Sequence, residues 1–419
     1  MNDLTQIFEI YCLLGAALFG TQVCYIKFVN FARYSLIVEF FQLIFVSLLC
    51  FTIWADYYFE ILVFQLSLFV YLSKNHDKTT DFSEEEKNYE RFCELTGKEN
   101  AKSDTKKPEP NLTIIHIKSY CIILTIICIL AVDFPSIYPK RHEKSQNYGY
   151  TAMDTGAGII VYGSGLAFGV SQRKTLNKND IIQVISCVIL GVIRVVTVKS
   201  LEYQEKVEEY GVYWNFFFTM AVIKVFSEMF LRKSNVALES LRAKLWRSPT
   251  FLVPVLLPIF YEILLNLEFD FEYFIGPGEK STKMTLKHAI MDLPHQTEQK
   301  INFLANFFLQ NREGIFSSLG YFSIYCYGNL LSNLYFRGQK SDTRETGPNL
   351  KYKFLNLSLF MTFLVLPISV KFIDSGSRRL GNLTFVVWMY GINAMFLYFF
   401  GLGEVDYELK TSTSVSLTR

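Results

Sequence analysis

Apolar runs long enough to cross a lipid bilayer recur along the whole of this 419-residue chain. A helix needs about 20 mostly apolar residues to span the hydrocarbon core, where it satisfies its own backbone hydrogen bonds. We therefore predict an all-α, polytopic integral membrane protein with about 11–13 transmembrane helices. The clearest runs lie at residues 8–26, 34–54, 57–73, 113–132, 152–170, 181–199, 213–231, 249–267, 315–334, 354–372 and 384–404.

The composition agrees with a membrane protein whose main partner is the lipid bilayer. Apolar residues make up 51% of the chain and charged residues 19%, whereas soluble domains carry about 25% charged residues. The net charge is only +2, and no basic patch is interleaved with aromatic residues, so a nucleic-acid partner is not expected. Asp3 and Glu9, rather than basic residues, stand at the start of the first run, which we interpret as a retained helix and not a cleaved signal peptide.

Charge and hydropathy divide the chain into four segments. Residues 1–73 are predicted to form N-terminal transmembrane helices, and residues 74–112 a charged cytosolic loop too poor in apolar residues to build a core. Residues 113–404 form the predicted catalytic transmembrane core, and residues 405–419 a cytosolic C-terminal tail. Within the core, the apolar stretch 301–310 is too short to cross a bilayer, so we expect a re-entrant or interfacial helix there.

The orientation follows from the basic residues of the short loops. Loops 171–180, 232–248 and 335–353 are rich in Lys and Arg, which places them in the cytosol by the positive-inside rule. The same alternation places residues 133–151 on the opposite, non-cytosolic side. That loop is itself basic and so breaks the rule, which indicates that its positive charges are retained for chemistry rather than for topology.

Charged residues crowd the 133–151 loop and the start of the next run. Asp133 follows one apolar run, Lys140, Arg141 and Lys144 form a basic cluster, and Asp154 opens the next run. Charges at the mouths of hydrophobic segments are costly to desolvate, so such a cluster is a candidate functional site.

Three further polar clusters fall on the same predicted face. An Arg inside a span usually faces the bundle interior, so Arg194 is expected to point inward. Glu313 is predicted at a helix start, where its charge suits the helix dipole. We expect these three clusters to converge on one site with the charged residues of 133–154. The added clusters contain Arg194, Lys199, Glu205, Trp214 and Asn215; then Asn311, Arg312 and Glu313; and finally Asp374, Arg378 and Arg379.

The residue types exclude several kinds of chemistry. The cysteines form no CxxC pair or other metal-ligand spacing, so we predict no metal site and no disulfide framework. Only His116 falls within an apolar span, and no Ser–His–Asp or Cys–His arrangement is evident. We expect no permanently bound cofactor and no acyl-enzyme intermediate.

At these clusters the sequence resembles a known family. Together with the basic Lys140–Lys144 segment, the motifs resemble those of the GPI-anchor inositol acyltransferases, the PIG-W family, which includes fungal GPI-anchored wall transfer proteins. The resemblance covers about residues 125–400, but Lys206 and Tyr213 stand where that family has histidines. The motifs are Asp133–Phe134–Pro135, Tyr148–Gly149, Met153–Asp154, Tyr203–Gln204–Glu205, Trp214–Asn215–Phe216–Phe217, Asn311–Arg312–Glu313–Gly314 and Ser377–Arg378–Arg379–Leu380.

The resemblance implies a multi-pass enzyme of the endoplasmic reticulum membrane with lumenal active-site loops. Such an enzyme transfers a palmitoyl chain from acyl-CoA, a co-substrate, to the inositol 2-hydroxyl of glucosaminyl-phosphatidylinositol. Asp133 would be the general base, and Lys144 would stabilise the oxyanion or hold a phosphate. Substrate binding would fall to Lys140, Arg141, Tyr148, Asp154, Arg194, Lys199, Glu205, Trp214, Asn215, Asn311, Arg312, Glu313 and Arg378.

Two other classes remain open from the residues alone. A polytopic lipid transporter or scramblase also carries intramembrane charge, but no internal repeat is visible and the polar residues gather on one face, which weighs against alternating access. In a non-catalytic subunit of a membrane complex, Arg194 would instead be a pairing residue.

Overall fold

A computed structural model describes residues 2–28, 40–75, 112–171, 176–201, 210–232, 249–270, 283–292, 303–336 and 348–417. Most of these residues are helical, which confirms the predicted all-α class. The helices are α1 (Asp3–Phe28), α2 (Val46–Phe51), α3 (Tyr58–Asn75), α4 (Leu112–Ala131), α5 (Ala152–Ser171), α6 (Lys178–Ser200), α7 (Phe216–Phe226), α8 (Pro249–Asn266), α9 (Leu286–Asp292), α10 (Phe303–Phe336), α11 (Pro348–Phe372) and α12 (Leu383–Leu417).

Short irregular elements complete this architecture. A π-helical turn (Phe40–Phe45) leads into α2, and another (Ser227–Leu231) extends α7. An antiparallel ribbon of β1 (Glu268–Asp270) and β2 (Lys283–Thr285) connects α8 to α9.

Helices long and apolar enough to cross a membrane confirm a multi-pass membrane protein. Six such segments occur within the described ranges. The predicted spans 57–73, 152–170 and 315–334 also fold as helices, α3, α5 and α10. The six segments are Asp3–Gly20, Thr113–Ala131, Lys178–Ser200, Pro249–Asn266, Leu355–Phe372 and Leu383–Gly401.

The structure corrects the prediction for residues 301–310. This stretch does not form a separate re-entrant helix; from Phe303 it is the first part of α10, which continues without a break to Phe336. No Pro occurs in this helix, and the polar residues at its third turn bond to neighbouring protein groups instead of ending it. Glu313 therefore lies in a helix interior and not at a helix start.

Other predictions fall at the edges of the described residues. Residues 76–111 of the predicted charged loop lie outside them, as do most of the basic loops used to assign the orientation. α12 extends to Leu417, so most of the segment 405–419 is helical.

The chain divides into two compact units. One comprises residues 12–116, and the other comprises residues 1–11 and 117–419. In the first unit, α1 packs against α3: the rings of Phe19 and Phe69 lie 5.6 Å apart. Gly15 brings the two helices close, since a Cβ there would lie 3.2 Å from Leu62 Cδ1.

The core of the second unit is the close packing of α5 on α10. A Cβ at Gly165 would overlap the carbonyl oxygen of Tyr325, and a Cβ at Gly328 would lie 2.6 Å from the carbonyl oxygen of Tyr162. Small residues let two membrane helices approach until their backbones touch. Glycine at these two positions is therefore a requirement of the packing.

A smaller apolar cluster joins α8, α9 and the connection between α11 and α12. Tyr261, Leu265, Leu286, Ile290 and Leu380 are buried together. The Tyr261 hydroxyl also donates to the Leu380 carbonyl at 2.8 Å. This cluster fixes α9 and the connection next to residues 132–151, the loop that precedes α5.

Candidate functional site

The loop between α4 and α5, residues 132–151, carries both predicted catalytic residues and is called the charged loop below. Asp133, Lys140 and Lys144 are exposed on it. Its centre is a 3-10 turn at Lys140–His142. Burial raises the pKa of Tyr150, near its end, to about 12. The Tyr150 phenol is therefore neutral at physiological pH and accepts a hydrogen bond from the Gly376 N–H at 2.7 Å.

The connection between α11 and α12, residues 373–382, docks directly on the charged loop and is called the closing turn. The Gly149 N–H donates to the Gly376 carbonyl at 2.9 Å, and the Ser377 hydroxyl donates to the Asn147 carbonyl at 2.6 Å. Gly381 has φ +63 and meets α10 at Gly320, a close approach that requires a residue without a side chain. One backbone hydrogen bond and one from a serine side chain thus hold the two segments together.

A first buried ion pair reinforces this contact. Arg378 Nε of the closing turn donates to Asp154 Oδ1 at 2.9 Å, and both side chains are almost fully buried. Asp154 Oδ2 accepts from the Thr151 hydroxyl at 2.9 Å and from the Ser145 N–H at 3.2 Å. Asp154 therefore fixes the loop backbone next to Lys144. The substrate-binding role predicted for Asp154 and Arg378 stays a prediction.

A second buried ion pair links the same segments to α10. Arg379 binds Glu313 through two of its nitrogens and also contacts the Asn147 side-chain oxygen. Glu313 is fully buried. Of the residues predicted to converge, Asp154 of α5, Glu313 of α10, and Arg378 and Arg379 of the closing turn do come together beside the charged loop.

The sequence reasoning missed a third buried contact, at Glu9. Glu9 Oε1 lies 2.7 Å from Arg141 Nε and 3.2 Å from His142 Nε2. Glu9 is only 2% exposed and His142 only 1%. A carboxylate inside an apolar run is itself the signal, because an intramembrane charge is expensive unless it has a partner.

The segment that precedes α7 lies along α10. Asn311 Oδ1 accepts from the Tyr213 N–H at 2.8 Å, and the Gly314 N–H donates to the Tyr210 carbonyl at 2.9 Å. The Trp214 indole packs on Gly314, where any side chain would overlap it. Asn311 and Trp214 thus help to dock this segment on the helix.

Asn215 begins α7 as its N-cap. Its side-chain oxygen accepts from the Phe217 and Phe218 N–H groups, and its amide donates to the Gly191 carbonyl of α6 at 2.9 Å. Asn215 therefore joins α6 to α7, and its predicted part in substrate binding stays untested.

Arg312 is buried against α9. Its Nε donates to the carbonyls of Ala289 and Ile290 at 2.9 and 3.0 Å, and its Nη1 donates to the Leu309 carbonyl at 2.6 Å. The guanidinium thus satisfies carbonyl groups in the last turn of a seven-residue helix. The substrate-binding role predicted for Arg312 is not tested by this geometry.

Arg194 and Lys199, the two residues predicted on α6 itself, do not join the buried cluster. Arg194 is exposed on α6, so the expectation that it faces the bundle interior is wrong. Most of α6 is exposed and apolar, which is typical of a lipid-facing helix, and a long Arg side chain there can reach the membrane interface. Lys199 Nζ lies 3.6 Å from the ring centroid of Tyr213. Glu205 lies outside the described residues.

A cavity of about 420 Å³ opens beside the charged loop and is called the polar cavity. Burial alone would lower the pKa of Lys287, but its contacts with Asp374 and Tyr148 raise that pKa above its usual value. Burial has the opposite effect on Tyr148 and raises the pKa of its phenol, while the nearby charge of Lys287 opposes that rise. The cavity is lined by Asn147, Tyr148, Lys287, His288, Met291, Asp292, Asp374 and Ser375.

The fold and the buried ion pairs define the class of this protein: a polytopic helical membrane protein with a polar site beside the loop between α4 and α5. The GWT1 family model matches residues 2–416, so the chain belongs to the GWT1 family. This result confirms the family resemblance of the sequence motifs. Among the described residues, no group of three or more His, Cys, Asp or Glu could hold a metal ion.

The similarity to curated relatives agrees with this family membership. The chain is 28% identical to GPI-anchored wall transfer protein 1 of Yarrowia lipolytica over 321 residues, 72% of the chain and 59% of the relative. It is 29% identical to human glucosaminyl-phosphatidylinositol-acyltransferase PIGW over 290 residues, 67% of the chain and 50% of the relative. The match to GPI-anchored wall transfer protein 1 of Candida albicans is 28% over 340 residues, 72% of the chain and 62% of the relative. The chain thus spans less than two thirds of the length of these relatives.

Proposed function

We propose that this protein transfers a fatty acyl chain, palmitoyl in the simplest case, from acyl-CoA to the inositol 2-hydroxyl of glucosaminyl-phosphatidylinositol. Membership of the GWT1 family and the name of the human relative support this substrate class. The reaction belongs to GPI-anchor biosynthesis, and we place it in the endoplasmic reticulum membrane with the charged loop on the lumenal side.

The observation that carries the proposal is the way the charged loop is held. Two buried ion pairs and the hydrogen bonds of the closing turn fix its second half, while Asp133 and Lys144 are exposed. A fixed frame under exposed charged groups is what acyl transfer needs, because reacting atoms must be held within a few tenths of an ångström.

In this mechanism Asp133 takes the proton of the inositol hydroxyl as its oxygen attacks the thioester carbon. The carbonyl oxygen becomes an oxyanion, which the Lys144 ammonium stabilises. When the oxyanion collapses, the C–S bond breaks and CoA leaves as a thiolate, which takes up the proton that Asp133 removed from the hydroxyl, so that the Asp133 carboxylate is restored. The products are an acyl ester of inositol and free CoA.

The buried ion pairs have a supporting part in the same scheme. Asp154 accepts a hydrogen bond from the backbone N–H of Ser145, the residue after Lys144, and Arg379 binds Asn147, two residues after Ser145. We assign Asp154, Glu313, Arg378 and Arg379 to positioning of the charged loop rather than to contact with the reacting atoms.

The experiment is an assay of the purified full-length protein in liposomes, with radiolabelled acyl-CoA and glucosaminyl-phosphatidylinositol. The proposal predicts a labelled acyl-inositol product. Movement of the lipid between leaflets without any labelled product would instead support the transporter class.

A further inference from the structure

The polar cavity is built from three separate parts of the chain. The charged loop contributes Asn147 and Tyr148, and the closing turn contributes Asp374 and Ser375. α9 contributes the remaining wall, which includes Lys287 and Asp292. The volume of about 420 Å³ lies within the range of small-molecule sites. All of its lining residues except Met291 are polar or aromatic with a polar group.

This wall is held firmly in place. Arg312 binds the carbonyls of Ala289 and Ile290, and so fixes α9 to α10. Asn147 is contacted by Arg379, and the loop backbone beside it bonds the closing turn. The lining groups are therefore preorganised, which reduces the cost of binding a ligand.

The charges of the wall favour a cationic ligand over an anionic one. Lys287 forms an ion pair with Asp374, so these two charges offset each other. Asp292 adds a further negative charge and is exposed at the cavity. Buried Arg312 attracts Asp292 electrostatically. The Arg312 guanidinium also donates hydrogen bonds to carbonyls of α9, the helix that forms this side of the cavity. With the Lys287–Asp374 pair offset, the remaining charge of the lining is the Asp292 carboxylate, which would repel a phosphate and stabilise an ammonium group.

The remaining lining groups match a hydroxyl-rich ring. The Asn147 amide and the His288 imidazole can each exchange hydrogen bonds with hydroxyl groups. Tyr148 is 37% exposed and offers both a ring surface and a phenol. This combination of carboxylate, amide, imidazole and aromatic groups is suited to an amino sugar.

We propose that the polar cavity binds the protonated amino sugar of the lipid substrate, with the Asp292 carboxylate accepting hydrogen bonds from its ammonium group. This inference rests on the proposed function for the identity of the lipid, and it adds the place where the glucosamine ring is bound. The charged loop then forms one side of the amino-sugar site and also carries Asp133 and Lys144.

The test is a binding measurement on the full-length protein in nanodiscs that needs no acyl transfer. The two probes are glucosaminyl-phosphatidylinositol and its N-acetylated counterpart, whose amide carries no charge. The wild-type protein should bind the free amine more tightly. Asp292→Asn should raise the Kd of the free amine about 10- to 100-fold, the range for losing a hydrogen bond to a charged group. The Kd of the N-acetylated lipid should stay unchanged.

Three comparison variants sharpen the result. Asp292→Glu keeps the charge and should restore most of the selectivity for the free amine. Glu60→Gln removes an exposed carboxylate in the other unit and should change neither Kd. Tyr148→Ala should weaken the binding of both lipids, since it removes a ring surface and not a charge.

The outcomes separate this inference from the proposed function. Equal binding of the two lipids by the wild-type protein, or unchanged binding in Asp292→Asn, overturns the inference even where acyl transfer proceeds. Amine-selective binding that Asp292→Asn abolishes, in a protein that transfers no acyl chain, supports the inference and refutes the proposed function. Weaker binding of acyl-CoA in Asp292→Asn, with both lipids bound as before, would assign the cavity to the other substrate and also overturn the inference.

Discussion

Arg379 and Glu313 form a bidentate ion pair, in which Nη2 donates to Oε1 at 2.6 Å and Nε donates to Oε2 at 3.0 Å. Both side chains are buried. Because Arg379 also contacts Asn147, the pair connects the interior of α10 to the charged loop. Removing either partner would leave the other buried charge without this bidentate contact.

The first prediction concerns this pair. Arg379→Ala or Glu313→Ala should destabilise the protein by about 3–5 kcal/mol, because each strands the opposite charge. The double variant Glu313→Leu with Arg379→Met should recover much of that loss, since apolar groups of similar volume often replace a buried pair without cost. Thermal unfolding in detergent measures the effect. A double variant that loses as much stability as the two single variants together would contradict this account of the pair.

The second prediction concerns Glu9, whose carboxylate contacts both Arg141 and His142. Glu9→Gln keeps the shape of the side chain but removes the charge that faces both Arg141 and His142. We expect a larger loss of thermal stability from Glu9→Gln than from Arg141→Ala, because Arg141 is more than a third exposed and partly solvated. An equal or smaller loss from Glu9→Gln would mean that the buried carboxylate adds nothing beyond the Arg141 contact.

The third prediction distinguishes support from substrate contact at Arg312. Arg312→Ala leaves the carbonyls of Ala289 and Ile290 without their donor, at a cost of about 1–3 kcal/mol for each unsatisfied group. The loss of this anchor should lower the melting temperature and raise the KM for glucosaminyl-phosphatidylinositol, whose proposed site α9 lines. The KM for acyl-CoA should stay the same. A raised KM for acyl-CoA at unchanged stability would instead assign Arg312 to a phosphate contact.

The fourth prediction tests the close approach of α5 and α10 with two glycines of one helix. At Gly165 an added Cβ overlaps the Tyr325 backbone, whereas at Gly156 it makes an ordinary contact of 3.4 Å with Thr125 Oγ1. Gly165→Ala should therefore cost about 1–3 kcal/mol. Gly156→Ala should be neutral or stabilising by up to about 1 kcal/mol, because Ala is the better helix former. Equal melting temperatures for the two variants would show that the helices are not in contact at Gly165.

The sequence could predict much of the fold because hydropathy sets helix existence directly. The predicted spans 113–132, 181–199 and 249–267 coincide with α4, α6 and α8 to within a few residues. The errors arose where polar residues lie inside a helix. The segment Asn311–Glu313 resembles a helix start, yet its partners come from residues distant in sequence, so only the folded structure explains why α10 continues through it.

The site was predictable in part for the same reason. Charges at the mouths of apolar runs identified Asp154, Glu313 and Arg378, and the structure brings these segments together. The pairing itself, and the contribution of Glu9, depend on contacts between residues more than sixty positions apart. Arg194 was misplaced because its span faces outward, and a single sequence does not reveal which face of an apolar helix is buried.

The central claim is that Asp133 and Lys144 act together on one transition state, and a double-mutant cycle in the acyl-transfer assay tests it most directly. Asp133→Asn should lower kcat about 10²- to 10⁴-fold, as expected for loss of a general base. Lys144→Ala should cost about 3 kcal/mol of transition-state stabilisation. The double variant should be little worse than the more impaired single variant, with melting temperatures unchanged. A well-folded Asp133→Asn protein that still acylates glucosaminyl-phosphatidylinositol at the wild-type rate would contradict the claim.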